Sequence, residues 1–136
     1  MIVIDASMVG PIVFLDEAPL PATLAGALAS HPIVAPAHWS LEVTNMLVTA
    51  LRRGRIDPPE LSSSFDLVSA LRVEVSPAPD MATCQAVAAL AEQQRLTVYD
   101  AAYLHLALVR SATIATLDGA LARAAIGRGV EVLTFP

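Results

Sequence analysis

Four carboxylates are spaced along this chain where they could hold a divalent cation: Asp5, Glu42, Asp100 and Asp118. Asp5 closes a short apolar run, and Asp100 and Asp118 each stand immediately before a stretch of helical pattern. In a parallel sheet such positions fall on the carboxyl edge, where open α/β folds bind their ligands. Each of these aspartates has a second explanation as a helix N-cap, since Asp takes up the unpaired N–H groups of a first turn. Glu42 is harder to explain away. Segment 37–53 is apolar nearly all round except for His38, Glu42, Asn45, Thr49 and Arg52. At about 100° per residue these five fall within a stripe roughly 80° wide, narrower than an ordinary solvent face.

If that stripe meets the sheet edge, the acids converge in a chain with no lysine, all eight basic residues being arginine. Two like charges at ~4 Å cost about 4 kcal/mol even at an effective dielectric near 20, and a divalent cation is the natural remedy. Oxygen-only donors suit Mg²⁺ or Mn²⁺ rather than Zn²⁺, whose His and Cys groupings are missing from the spacing. Hydroxyls accompany the acids, Ser7 two residues after Asp5 and Thr116 two before Asp118. They could orient a carboxylate or a bound water, or simply bond the local backbone. The lack of lysine also excludes P-loop phosphate binding and a lysine base.

The elements that would position these groups follow from hydrophobic patterning. Continuous apolar runs at 2–4, 33–35, 113–116 and 130–133 predict buried parallel strands, with a further short strand at 72–75. Helical patterns cover about 8–16, 21–30, 37–53, 59–71, 81–95, 101–110 and 119–127. The fold class expected is α/β: a central parallel sheet of four to five short strands flanked by about seven helices, in one domain over 1–136. Pro58-Pro59 and Pro77-Ala78-Pro79 punctuate two helices that could project from the sheet as a hairpin. Gly10-Pro11 would remove a backbone donor from a first helix begun at Ser7, so that helix could instead begin at Pro11.

Composition narrows the setting. A hydrophobic fraction of 55%, a mean hydropathy of +0.61 and only 15% charged residues predict apolar surface left over for a partner or a dimer. The net charge of −5 excludes an open basic surface binding nucleic acid by counterion release. Cys84 is the only cysteine, so no intramolecular disulfide forms, and it reads as a small core residue in a reducing compartment. No secretory leader and no membrane-length apolar run is evident, and a cytoplasmic location is expected.

Taken together, the opening MIVIDAS, the step from Glu42 to Asn45, the YDAAYLHLA run from Tyr99 and the TLD at Thr116 to Asp118 have a family look. The chain resembles PIN-domain ribonucleases, specifically the VapC toxins of VapBC modules, over its whole length. The resemblance implies a Mg²⁺- or Mn²⁺-dependent endoribonuclease, usually dimeric, held inactive by a VapB antitoxin. It implies that Asp5, Glu42, Asp100 and Asp118 are the acidic quartet and that Ser7, Asn45 and Thr116 support it. On that basis Asp5 and Asp100 are expected as direct or water-bridged metal ligands, Glu42 as base or orienter, and Asp118 as the group completing the site.

Other residues carry weaker signals. Arg52, Arg53 and Arg55, around Gly54, could clamp RNA phosphates or simply offset a helix C-terminus. His38 and His105 lack partners at metal-ligand spacing, Tyr103 reads as packing, and Trp39 as a core or dimer anchor. The apolar faces of 21–30, 59–71 and 81–95 are candidate antitoxin or dimer surfaces, or plain core. Two other functions compete with this one. A non-catalytic RNA- or protein-binding module would be favoured by loss of one acid, and a phosphotransferase with Asp5 as nucleophile would want a lysine and a second Asp where Ser7 stands.

Overall fold

The structure, a computed structural model, describes residues 1–135. Five strands, β1 (Ile2–Ile4), β2 (Ile33–Ala35), β3 (Glu74–Val75), β4 (Thr113–Ala115) and β5 (Val132–Leu133), form one sheet in the order β3-β2-β1-β4-β5. Every neighbouring pair is parallel, Val3 facing Val34 on one side and Ile114 on the other. The first three strands are added outward from β1 in one direction and the last two in the other. The reversal falls between β1 and β4, the crevice where doubly wound sheets bind ligands.

Helices make the crossovers: α1 (Gly10–Val13), α2 (Ala22–Ser30), α3 (Trp39–Arg52), α4 (Pro58–Ala70), α5 (Met81–Gln94), α6 (Val98–Arg110) and α7 (Gly119–Gly127). The central strands are buried because β1 and the middle of β4 are flanked by other strands and covered by helices. Val3, Ile4, Val34 and Ile114 are fully enclosed together with Leu47 of α3, Tyr103 and Leu104 of α6 and Leu121 of α7. The α6 helix packs against β1, β4, α5 and α7, which makes it the element that ties the sheet to the helices beside the crevice.

The predicted strands at 2–4 and 33–35 match β1 and β2, whereas β3, β4 and β5 are shorter than the predicted 72–75, 113–116 and 130–133. The first helix differs most. In place of a helix over 8–16, a 3-10 turn at Ala6–Met8 is followed by the four-residue α1, with Pro11 in its first turn. Proline lacks the amide a longer helix would need there, so the polar start of the segment becomes a separate turn. The helical hairpin does not form. β3 pairs with β2 between the two helices, α4 packs on α1 and α3, and α5 packs on α6. Trp39 belongs to the core, while Cys84 is half-exposed near the start of α5 rather than a core residue. Among the described residues no helix is long and apolar enough to cross a membrane.

Candidate active site

Asp5 follows β1 directly, and its backbone N–H extends the ladder by bonding Ala115 O at 2.9 Å. Its side chain, 7% exposed, accepts hydrogen bonds at Oδ2 from Ser7 Oγ at 2.5 Å and from Thr116 Oγ1 at 2.7 Å. The two hydroxyls are themselves pinned. Ser7 Oγ accepts from Leu117 N and Thr116 Oγ1 accepts from Asp118 N, each at 2.9 Å. These bonds lock the turn after β1 to the turn after β4, and they orient an anion that burial alone would penalise. Among the described residues, Asp5 Oδ1 takes no hydrogen bond.

Glu42 projects from the first turn of α3 and is half-buried. Its Oε2 accepts a short hydrogen bond from the hydroxyl of Tyr103, a fully buried residue of α6. His38 Nε2 approaches the same oxygen at 3.5 Å without making a hydrogen bond, and its ring lies 5.1 Å from that of Tyr103 and 5.3 Å from that of Tyr99. Burial pushes the Tyr103 phenol well above its ordinary pKa, the bond to Glu42 and the negative charges of Glu42 and Asp5 push it further, and the Ala6 amide opposes them weakly. The phenol therefore stays a proton donor, and both Glu42 and Asp5 lie within electrostatic reach of it.

The other two acids have local roles of their own. Asp100 is in the first turn of α6 rather than ahead of it, because Thr97 caps that helix through Asp100 N at 3.0 Å. The Thr97 hydroxyl donates in turn to Asp100 Oδ2 at 2.7 Å. Asp100 precedes Tyr103 by three residues and so shares its helix face. Asp118 is the N-cap of α7, its Oδ1 accepting from Leu121 N at 2.7 Å, which bears out the capping explanation for that residue. Asn45, one turn along α3 from Glu42, is exposed and enters none of the described side-chain hydrogen bonds.

Among the described residues, no three His, Cys, Asp or Glu side chains are grouped so as to hold a metal ion. An all-protein cage of the zinc type does not fit here. The arrangement fits a hard cation held by one or two carboxylates and otherwise by water and phosphate oxygens, the usual way Mg²⁺ is bound. Among the described residues Oδ1 of Asp5 is free of hydrogen bonds, and the two side chains bonded to Oδ2 are hydroxyls.

Comparison with known proteins decides the family. The model of the PIN domain matches residues 2–127. The chain belongs to the PIN-domain family. Two solved structures share the fold of this PIN domain. PAE2754 from Pyrobaculum aerophilum is 22% identical, with a TM-score of 0.70 over 96% of this chain and 82% of that one. FitAcB from Neisseria gonorrhoeae is 17% identical, with a TM-score of 0.64 over 98% and 97% of the two chains. No curated protein matches the sequence.

Two features of this PIN domain escaped the sequence reading. Tyr103 is not packing alone, and the signal that could have found it was weak: it lies one helical turn from Asp100. Arg55 is not free to clamp RNA. It bonds Asp16 through Nε and Nη2 and Glu17 through Nη2, and its guanidinium lies 3.8 Å from the Phe14 ring centroid. Arg52 and Arg53 remain exposed at the end of α3, with Gly54 in the left-handed region at φ 68° to end the helix.

Proposed function

We propose that this PIN domain is a Mg²⁺- or Mn²⁺-dependent endoribonuclease and the toxin of a VapBC-type pair. PIN domains are generally metal-dependent nucleases. The observation that carries the reading is Asp5: a buried carboxylate at the reversal of strand order, oriented by Ser7 and Thr116, with no arginine paired to it among the described residues.

Asp5 and Asp100 are the residues that would hold the cation, through oxygens not engaged by Thr116 and Thr97. A divalent ion in such a place supplies Lewis-acid stabilisation of phosphate charge and makes its water more acidic. Glu42, held by Tyr103, orients the attacking water and takes its proton at the oxygen facing away from the phenol. Asp118 completes the acidic edge while fixing the start of α7. Attack in line on the phosphodiester breaks the P–O3′ bond, leaving a 5′-phosphate and a 3′-hydroxyl.

The VapB-type antitoxin and the homodimer rest on the VapC resemblance and on exposed apolar side chains such as Leu41, Met81 and Val109. The lone free thiol, Cys84, suits a reducing cytoplasm.

The test is cleavage of a labelled structured RNA by antitoxin-free protein with Mg²⁺ or Mn²⁺, with EDTA, and with Asp5→Asn and Asp100→Asn. The expected result is metal-dependent cutting that each substitution lowers by more than about 100-fold. If the wild type neither cuts RNA nor binds the metal, the chain is a non-catalytic PIN module.

A further inference from the structure

The observation left over from the acidic edge is the contact between α3 and α6. Glu42 and Tyr103 are 61 residues apart, yet the phenol donates to Glu42 Oε2 from a site with no solvent exposure. The same oxygen is the one that His38 Nε2 approaches, so Tyr103 and His38 crowd one side of the carboxylate. Among the described residues Oε1 takes no hydrogen bond, since both of these contacts fall on Oε2. A glutamate on a helix surface has three side-chain torsions and would otherwise sample several rotamers. A buried donor on a second helix removes that freedom, since leaving it would strand a phenol without a partner.

We propose that Tyr103 is a positioning residue for the nuclease reaction, a buried phenol whose hydrogen bond to Oε2 fixes the Glu42 carboxylate so that Oε1 faces the attacking water. The proposal rests on the reading of this site as a nuclease. Tyr103 touches neither substrate nor metal; it acts through Glu42. The ring belongs to the core, so its contribution to stability and its contribution to rate are separable. The ring packs, and only the hydroxyl oxygen positions.

The experiment is a double-mutant cycle of Tyr103→Phe and Glu42→Gln, read as kcat and KM for RNA cleavage and by carbon-13 NMR of metal-free protein. Tyr103→Phe should lower kcat about 10- to 100-fold with KM changed less than about two-fold. In the Glu42→Gln background the same substitution should have almost no further effect, because both changes remove one interaction. The side-chain carboxyl signal of Glu42 should shift in Tyr103→Phe. The ring Cζ signal of Tyr103 should shift in Glu42→Gln, a reading that stands even if Tyr103→Phe folds poorly.

Additive losses in kcat, a loss confined to KM, or unmoved NMR signals overturn the positioning role. Wild-type cleavage abolished by Asp5→Asn but untouched by Tyr103→Phe leaves the nuclease reading standing and removes this proposal. A wild type that cuts no RNA removes both, and the NMR cycle then reports only a structural hydrogen bond.

Discussion

Acidic residues meet two fates in this molecule. At the junction of α1 and α3, Asp16 and Glu17 are neutralised by Arg55, which pairs with both at 2.7 and 2.8 Å and stacks on Phe14. At the carboxyl edge of the sheet, Asp5 and Glu42 are held by hydroxyls of Ser7, Thr116 and Tyr103. Among the described residues no arginine makes an ion pair with Asp5, Glu42, Asp100 or Asp118, although Arg123 places its guanidinium against Gly119 at the start of α7. A guanidinium cancels charge, whereas a hydroxyl orients it and leaves it uncancelled. The first arrangement ties loops together. The second leaves negative charge unpaired by arginine, in a chain with eight arginines in all, and this is the charge the proposed cation would meet.

Adding a divalent cation should give the largest effect. If the edge binds Mg²⁺ or Mn²⁺, ion at 100 times its dissociation constant should stabilise the fold by about 2.7 kcal/mol. Thermal unfolding with and without the ion checks this, and Asp5→Asn should abolish the shift. An equal shift in Asp5→Asn would mean that the ion binds elsewhere and that the contrast between the two regions is false.

Thr116→Val comes next. It keeps the shape of a fully buried side chain but removes the donor to Asp5 and the acceptor for Asp118 N. Hydrogen bonds to charged groups predict a loss of about 1.5–3 kcal/mol in urea unfolding, largely restored by Thr116→Ser. A change below about 0.5 kcal/mol would show that these hydroxyls do not hold the acid.

Arg55→Met should have the smallest effect, about 0.5–1 kcal/mol from the lost contact with Phe14. It also carries a pH signature. The hydrogen bond from Arg55 holds the Asp16 carboxyl below its ordinary value, against a weaker effect of burial. A depressed folded pKa means that this stability is fully present above the unfolded value, about 3.9, and is lost as pH falls through the folded value. Unfolding measured from pH 5 to pH 2 should therefore lose part of its slope in Arg55→Met. An unchanged slope would show that Asp16 is not paired in solution.

The hydrophobic pattern determined much of this molecule locally. Ile2 to Ile4 and Ile33 to Ala35 are continuous apolar runs, and they are the buried strands β1 and β2 because only a strand covered on both faces tolerates such a run. Asp5 at the end of β1 was legible for the same reason, since the strand's end fixes the sheet edge. The extent of α1 was not, because 8–16 has helical periodicity while Gly10-Pro11 interrupts its hydrogen bonding, and the balance was struck by packing. Asp100 was placed one turn too early because the helix start was set by Thr97, whose capping role depends on how the preceding turn presents it.

What the chain determined by itself is the class of fold and the kinds of side chain available to a site: apolar periodicity sets strands and helices, and the absence of lysine leaves arginines and hydroxyls to answer the acids. What only the tertiary structure decided is which partner each acid received. Tyr103 reaches Glu42 across 61 residues, Thr116 reaches Asp5 across 111, and Arg55 reaches Asp16 across 39. Patterns of period two or 3.6 report neighbours within a turn or a pleat. Hydrogen bonds between separate elements depend on how the sheet order brings those elements side by side.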